Sequence, residues 1–374
     1  MKRNIQRSGI MSFLVFVLCA QNVFAQPPPL QFQHLTLDQG LSHNRVTAFT
    51  QDKYGLIWIG TSDGLNRFDG YKVDIYQNDR GNKNSLPDNS VRCLFTDSHG
   101  TVWVGTPNGL AYYDYRSNSF RSFVSSSKDE NSLPFNNISA INEDTNGILW
   151  IGTNSGLCSF DIKNQRFKRF LHDGHSNSIS GNVIRDIEVA PDGAMWISTN
   201  GGLNRLEPST MKFTSFFHDP NDSTTLSGNT LTKMAIDKNE NLWVCVNETT
   251  FLECFNTKTY RVSHFKTFTE KQSHISNNSP RDIFVDRDGR LWVGTGQGGL
   301  YLFSPGKNIF YQYKADLLDP NKLQSNSIIE MYQDNSGMIW LGTHAYAERF
   351  NPDESKFIFH RALFRSSSIV SQVR

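Results

Sequence analysis

Seven tryptophans recur along the chain at nearly constant spacing, and this internal repeat restricts the possible folds more than any other feature. Consecutive tryptophans are 45, 47, 46, 47, 49 and 48 residues apart. Each is followed by Ile, Val or Leu, and five continue with Gly-Thr, as in WIGT and WVGT. A period of this length with strand-like content is typical of propeller blades. The tryptophans are Trp58, Trp103, Trp150, Trp196, Trp243, Trp292 and Trp340.

An asparagine stands fourteen residues before each tryptophan. Between the two lie an apolar run such as VTAFTQD and a D-x-x-G turn, in which glycine supplies a positive φ and Asp bonds back to the chain. A second turn and two more strand-like segments follow the tryptophan. Four antiparallel strands in each of seven copies predict an all-β, seven-bladed β-propeller whose blades start near these asparagines. They are Asn44, Asn89, Asn136, Asn182, Asn229, Asn278 and Asn326.

The repeated residues are expected to have structural roles. Seven equivalent tryptophans predict packing between blades, and the glycine after most of them predicts a close approach of neighbouring chain segments. The asparagines are expected to hold the turn that enters the first strand of each blade. The alternatives are a ring of aromatic residues that stacks on a ligand, and a functional role for the asparagines.

The N-terminus has the features of a secretory signal peptide. Lys2, Arg3 and Arg7 precede an apolar run over residues 10–20, and Val23-Phe24-Ala25 resembles a small-residue cleavage site. A membrane anchor is the alternative, but the apolar run is shorter than the roughly 20 residues that span a bilayer. We therefore expect residues 1–25 to be removed and the chain to be periplasmic.

Two terminal segments compete to complete the last blade. Residues 30–37 (LQFQHLTL) and residues 357–361 (FIFHR) both match the fourth strand of a copy. A propeller closes when a terminal strand covers the open edge of its last sheet. We predict that residues 30–37 close blade 7, that the propeller spans residues 26–362, and that residues 363–374 form a tail or the start of a second propeller.

Cysteines and charge exclude few functions by themselves. Cys245 and Cys254 flank a predicted hairpin, and two alternatives stay open for them: a cross-strand disulfide or two buried thiols. No CxxC motif or histidine-rich cluster indicates a metal site, and no cofactor is expected. The formal net charge of +1 argues against nucleic acid as a partner.

The full pattern, with L-x-x-N, D-x-x-G, W-[IVL]-G-T and G-L-x-x-[FY] in register, resembles the two-component regulator propeller repeat. The opening blade, GLIWIGTSDGLNRFDGYKVDIY, resembles the first blade of such proteins, and the copies cover residues 30 to about 362. The resemblance implies a ligand-sensing region of a signalling receptor, often one that senses carbohydrate breakdown products. It also implies a second propeller, a β-sandwich module and a membrane-linked kinase or cyclase. No output motif follows residue 350, so we expect a sensor region that lacks its output domain.

Charged residues near the start of the first strands mark a candidate ligand site at the channel rim. A mixed-charge rim could hold an acidic sugar or a protein loop, and the alternative is a solvated channel with internal ion pairs. A stand-alone secreted binding propeller is the alternative function. A glycan hydrolase or lyase is disfavoured because the arginines lie on separate blades without a Tyr/Glu pair, so no enzyme activity is expected. The rim residues are Arg92, Arg185, Arg281, Lys233, Asp186, Asp282 and Glu330.

Overall fold

The computed structural model describes residues 28–353, except 248, 250, 267–278, 305 and 306. These residues form seven four-stranded antiparallel sheets, and their only helix is the 3₁₀ turn Leu37–Gln39. The innermost strand of each sheet contacts that of the next sheet, and the first and seventh sheets also meet, so the sheets close into a ring. The predicted all-β, seven-bladed β-propeller is therefore confirmed.

The strand bounds follow the sequence repeat closely. Blades 1 to 3 contain β2 (Val46–Gln51), β3 (Ile57–Thr61), β4 (Gly64–Phe68), β5 (Val73–Tyr76), β6 (Cys93–Thr96), β7 (Val102–Thr106), β8 (Gly109–Asp114), β9 (Ser119–Phe123), β10 (Ile138–Glu143), β11 (Ile148–Thr153), β12 (Gly156–Asp161) and β13 (Arg166–Phe170). Blades 4 and 5 contain β14 (Ile184–Val189), β15 (Met195–Thr199), β16 (Gly202–Glu207), β17 (Lys212–Phe216), β18 (Leu231–Ile236), β19 (Asn241–Val246), β20 (Phe251–Asn256) and β21 (Val262–Lys266). Blades 6 and 7 contain β22 (Pro280–Val285), β23 (Leu291–Thr295), β24 (Leu300–Ser304), β25 (Ile309–Tyr313), β26 (Ile328–Gln333), β27 (Ile339–Thr343), β28 (Ala347–Phe350) and β1 (Phe32–Leu35).

The outer strand of blade 7 comes from the N-terminal end of the described chain. Strand β1 pairs antiparallel with β28, with Phe32 opposite Phe350 and Leu35 opposite Ala347. The seventh sheet therefore has the order β1-β28-β27-β26, and its outer edge is covered. The competing segment 357–361, the tail and the signal peptide lie outside the described residues.

The tryptophans fill the space between neighbouring blades. Trp58 is fully buried, and its ring centroid lies 4.8 Å from that of Tyr113 in blade 2. The indole Nε1 of Trp58 donates to Asp52 Oδ2 at 2.9 Å, while Asp52 Oδ1 accepts from the backbone N–H groups of Tyr54 and Leu56. One carboxylate thus accepts hydrogen bonds from the backbone of the D-x-x-G turn and from the buried indole of the tryptophan. The same indole bond occurs at Trp103, Trp150, Trp243, Trp292 and Trp340, with Asp97, Asp144, Asp237, Asp286 and Asp334.

The glycine after the tryptophan lets the next blade approach closely. A Cβ on Gly60 would lie 2.5 Å from Val91 Cγ1 of blade 2, and one on Gly152 would lie 2.6 Å from Ile184 Cγ2 of blade 4. Blade 4 has Ser198 instead, whose hydroxyl donates to the carbonyl of Thr232 in blade 5 at 3.0 Å. The position therefore requires a small residue because the neighbouring first strand packs against it.

The repeated asparagines hold the loop between consecutive blades. Asn89 Oδ1 accepts the backbone N–H of Asn78 at 2.6 Å, and the Asn89 carbonyl accepts the N–H of Gly64 in the preceding blade. These bonds fix the entry into the first strand of blade 2. Asn278 lies outside the described residues, and Asn44 accepts no such bond from them. Equivalent side-chain bonds occur at Asn136, Asn182, Asn229 and Asn326.

The two cysteines of blade 5 are free thiols, so the disulfide alternative is not realised. In the β19–β20 pairing, Cys245 lies opposite Leu252 and Cys254 lies opposite Trp243. The cysteines are therefore offset by two residues rather than directly opposed, and a disulfide requires closely opposed Cβ atoms. Burial raises the pKa of the Cys254 thiol to about 12 and that of Cys245 well above its ordinary value, which keeps both thiols protonated at neutral pH.

Candidate functional site: the central channel

A cavity of about 620 Å³ lies on the propeller axis, between the first strands of the blades. All seven charged residues that the sequence indicated line it, together with neutral residues of blades 1 to 3. The fold therefore brings these residues together from five different blades. They are Arg92, Arg185, Asp186, Lys233, Arg281, Asp282 and Glu330.

Irregular pairing at the start of the first strands exposes one row of side chains to the cavity. In blade 4 the register between β14 and β15 shifts between Ile184 and Asp186, which leaves Arg185 as the extra residue. Shifts at the corresponding place occur in blades 1, 3, 5, 6 and 7. Bulges of this kind redirect a side chain away from the regular pleat. The residues three positions after the repeated asparagines, all lining the cavity, are Thr47, Arg92, Ser139, Arg185, Thr232, Arg281 and Ile329.

Hydroxyls and guanidinium groups alternate along the first six members of this row. The hydroxyls of Thr47 and Ser139 donate to backbone carbonyls of the following blade, each at 2.7 Å, and so join neighbouring blades. The guanidinium groups of Arg92, Arg185 and Arg281 are exposed and make no hydrogen bond or ion pair with the described residues. The row therefore presents three unpaired cations at the entrance of the cavity.

The next position along each first strand divides the channel into a neutral half and a charged half. Blades 1 to 3 carry Ala48, Cys93 and Ala140 there. Blades 4 to 7 carry the charged residues instead. These are Asp186, Lys233, Asp282 and Glu330.

One ion pair neutralises part of the charged half. Lys233 Nζ lies 3.0 Å from Glu330 Oε2, and both side chains are half-buried. Burial opposes the charge on Lys233, but the carboxylates of Glu330, Asp186 and Asp282 raise its pKa well above the ordinary lysine value. Asp186 Oδ2 accepts the backbone N–H of Met234 at 2.9 Å. The lysine therefore stays charged and balances one of several carboxyl groups.

Asp282 is the least compensated of these carboxyl groups. The residue is 3% exposed, and its Oδ2 has no hydrogen-bond partner among the described residues. Burial, and then the nearby charge of Glu330, raise the pKa of Asp282 well above its ordinary value. A carboxyl group in this position costs stability because its charged form has lost water and one of its two oxygens, Oδ2, has gained no partner.

Sequence reasoning missed two charged groups of the lining, Glu188 and Arg45. Glu188 follows Asp186 by two residues on the same strand, and strand alternation places both on one face, so the signal was present. Burial and the Asp186 charge raise the pKa of Glu188 well above its ordinary value. Arg45 lies before the strand and carries no periodic signal. Burial, and then the charges of Arg45 and Arg281, lower the pKa of His344.

The repeat model of a known family matches six segments of the chain. The model is described as the two-component regulator propeller, and it matches residues 40–63, 85–108, 132–155, 178–201, 274–297 and 322–345. The chain belongs to the two-component regulator propeller family. Each match contains the asparagine, the D-x-x-G turn or its variant, and the tryptophan of one blade. Blade 5 of this propeller has no match, and it is the copy that has lost both the turn glycine and the Gly-Thr pair.

Relatives of this two-component regulator propeller include much longer proteins. The histidine kinase P4 of Formosa agariphila is 39% identical over 84 residues, which are 22% of this chain and 6% of that protein. The extracellular domain of BT3049 from B. thetaiotaomicron, described as a hybrid two-component system, has 26% identity and a TM-score of 0.72. That similarity covers 86% of this chain and 42% of BT3049's domain. The chain spans well under two thirds of the length of either relative.

The fold alone is shared more widely. Virginiamycin B lyase of Staphylococcus aureus has a TM-score of 0.64 at 16% identity, with 86% of this chain and 99% of the lyase covered. This likeness shows a common propeller architecture, which hosts unrelated functions.

Proposed function

We propose that this chain is the periplasmic ligand-sensing propeller of a two-component-type signalling receptor and catalyses no reaction itself. Its partners in the receptor would be a second propeller, a β-sandwich module and a membrane-linked kinase or cyclase. Membership of the family and the likeness to the extracellular domain of BT3049 support the proposal. The basic and apolar N-terminus of the sequence supports export. Within the described residues no helix is long and apolar enough to cross a membrane.

The central cavity is the observation that carries the sensing role. It offers about 620 Å³, the size of a small-ligand site, and it is lined on one side by charged groups of four consecutive blades. Its entrance presents guanidinium groups without partners, and its interior presents carboxyl groups with a single lysine. An acidic sugar fits this arrangement, because its carboxylate would meet the arginines while its hydroxyls meet the interior carboxyl groups.

A binding measurement with matched arginine variants tests the proposal. The mature chain would be titrated with uronic-acid oligosaccharides and with neutral gluco-oligosaccharides by isothermal titration calorimetry. The double variant Arg185→Gln/Arg281→Gln removes two unpaired cations at the entrance and no contact of the fold. Arg116→Gln is the control, because Arg116 is exposed on the β8–β9 turn, far from the first strands.

We expect the acidic oligosaccharides to bind, and the double variant to bind them at least about tenfold more weakly, a loss of about 1.4 kcal/mol. The Arg116→Gln variant should bind as the wild type does. Binding that is unchanged in the double variant would place the ligand elsewhere and remove the support that the cavity gives.

A further inference from the structure

Three arginines occupy the same repeat position in blades 1, 4 and 7. Arg67, Arg205 and Arg349 each lie on the third strand of their blade, directly opposite the core tryptophan of the second strand. The corresponding residues of blades 2 and 3 are Tyr112 and Ser159. The arginines can therefore be compared as equivalent groups in nearly equivalent surroundings.

Two of these arginines have a carboxylate and the third has none. Arg67 lies 2.8 Å from Asp74, and Arg205 lies 2.9 Å from Asp192. Arg349 donates only through Nε, to Gln33 Oε1 at 2.9 Å, and its two Nη atoms have no partner among the described residues. Its Cζ lies 5.1 Å from the ring centroid of Trp340, which holds the guanidinium in place.

The missing carboxylate follows from the way in which the ring closes. In blade 1 the fourth strand follows the third in sequence and places Asp74 opposite Arg67. In blade 7 the fourth strand is β1, from the other end of the chain, and it places Gln33 opposite Arg349. The amide oxygen of Gln33 therefore faces Arg349, whereas a carboxylate oxygen of Asp74 faces Arg67.

A cavity of about 350 Å³ opens beside Arg349 at the seam between blades 7 and 1. Besides Arg349, its lining includes the amides of Gln33 and Gln39, whose Nε2 atoms donate no hydrogen bond to the described residues. Tyr71 of blade 1 also lines it and is 96% exposed. The cavity therefore offers several free donors and an accessible aromatic ring around one uncompensated cation.

We propose that this seam cavity, which we call the seam site, binds a small carboxylate through the Nη atoms of Arg349 and the amides of Gln33 and Gln39. The carboxylate accepts from the Nη atoms of Arg349, as Asp74 accepts from Nη2 of Arg67. Guanidinium groups favour this ligand because their paired N–H groups match the two oxygens of a carboxylate. A ring attached to the carboxylate contacts Tyr71, so the preferred ligand is a cyclic acid of the size of one hexuronic acid.

A ligand bound at the seam site stabilises the closed ring of the propeller. Gln33 belongs to the closing strand β1, Arg349 to its partner β28, and Tyr71 to blade 1. One ligand therefore bridges the two sides of the only seam that joins chain segments from opposite ends of the described sequence. A ligand that binds only the closed form stabilises it by mass action.

A single isosteric change tests this proposal without removing the arginine. Gln33→Glu places a carboxylate opposite Arg349, as Asp74 is placed opposite Arg67, and should fill the site from within. Gln31→Glu is the matched control, because it adds the same charge two residues earlier in the chain. Arg349→Gln removes the cation itself. Each protein would be titrated with sodium glucuronate, glucose and sodium sulfate, with the apparent affinity read from thermal unfolding.

We expect glucuronate to raise the melting temperature of the wild type and of the Gln31→Glu variant, and glucose and sulfate to have no comparable effect. The apparent affinity for glucuronate should fall at least about tenfold in Gln33→Glu and in Arg349→Gln. An unchanged response in Gln33→Glu, or an equal response to glucose or to sulfate, would overturn the proposal. Loss of the response in Arg185→Gln/Arg281→Gln alone would assign glucuronate to the central channel instead and would also overturn it.

Discussion

At the scale of single residues, Glu240 carries a backbone conformation that the other six blades give to glycine. Its φ is +64°, and the glycines at the same place in the other D-x-x-G turns have φ between +78° and +91°. The left-handed region is unfavourable for a residue with a Cβ. The turn is nevertheless kept, with Asp237 Oδ1 accepting the N–H of Asn241 at 3.0 Å. Blade 5 therefore stores strain where its sequence departs from the repeat.

Glu240→Gly should stabilise the protein. Relief of the left-handed strain gains about 1–2 kcal/mol, and the greater freedom of glycine in the unfolded chain offsets about 0.4–1 kcal/mol of it. The exposed ion pair with Lys258, at 3.6 Å, contributes little. Urea denaturation should therefore show a net gain of up to about 1.6 kcal/mol. Glu130→Gly, at an exposed position without positive φ, is the control and should not stabilise. A loss of stability in Glu240→Gly would contradict the strain argument.

The aspartate of the D-x-x-G turn is expected to contribute strongly to stability. Asp97 accepts the N–H groups of His99 and Thr101 and the indole N–H of Trp103. Asp97→Ala leaves the buried indole without a partner, at a cost of about 1–3 kcal/mol for that group. Chemical denaturation should show at least this loss. The converse variant, Ala190→Asp, adds the carboxylate to blade 4 and should not lower the free energy of unfolding. An Asp97→Ala variant as stable as the wild type would show that the turn needs only its glycine.

At the scale of elements, the pairing of β1 with β28 includes a histidine and a buried glutamate. His34 Nδ1 lies 3.3 Å from Glu348 Oε2, and the His34 Nε2 contacts the carbonyl of Pro320 at 2.9 Å. Glu348 is fully buried and also accepts the backbone N–H of Gln324. The contact with Glu348 raises the pKa of His34 above the ordinary value, although burial opposes the shift. The closing strand is therefore held partly by a titratable contact.

The stability of the wild type should fall as the pH rises above about 6.5, the ordinary histidine pKa. Because the folded protein binds the His34 proton more tightly than the unfolded chain does, this stabilisation is complete below the ordinary pKa and disappears as pH passes the raised folded-state pKa. Unfolding free energies between pH 5.5 and 8.5 measure the effect, and His34→Gln should make the decline smaller without abolishing the part that Asp282 contributes. His175→Gln, on an exposed loop, should keep the full decline. Identical pH profiles for wild type and His34→Gln would contradict the assignment.

The elements differ in how far the sequence predicts them. The fixed spacing between asparagine and tryptophan predicts the first two strands of each blade, because nothing is inserted between them. The strand bulges leave no periodic signal, since the extra residue in each one changes neither the apolar run nor the turn. The open choice between a disulfide and two thiols for Cys245 and Cys254 depended on register, which a hairpin of uncertain length leaves undetermined.

At the scale of the whole molecule, the repeat places equivalent residues of the seven blades at equivalent positions around the channel axis. Residues at the same distance from the asparagine reach the same height in the channel, so the sequence alone indicates seven of the charged residues that line it. The seam site could not be predicted in this way, because it depends on the pairing of residues 33 and 349 from opposite ends of the described chain. The match of residues 30–37 to a fourth strand indicated which segment closes blade 7, but it did not indicate the register that sets residue 33 opposite residue 349.

Two conservative substitutions in the charged half of the channel should change the free energy of unfolding in opposite directions. Asp282→Asn removes a buried carboxyl group whose Oδ2 has no partner, while its other oxygen can still bond the Met331 backbone. Because the amide cannot ionise, the variant should gain about 1–3 kcal/mol at a pH at which the Asp282 carboxyl group would be charged without a partner at Oδ2. Glu330→Gln instead leaves the Lys233 ammonium without the carboxylate at 3.0 Å, and should lose about 1 kcal/mol at this half-exposed pair.

The pH dependence separates this explanation from simple packing effects. Because the pKa of Asp282 is raised in the folded protein, the folded state binds its proton more tightly, and stability falls as pH rises from the ordinary aspartate range through the raised pKa. The gain from Asp282→Asn should therefore grow with pH when unfolding free energies are compared between pH 4 and 8, with Asp38→Asn as an exposed control. A pH-independent gain would indicate packing alone. A growing gain would mean that the propeller keeps an unpaired carboxyl group in its channel at the expense of stability, as binding sites commonly do.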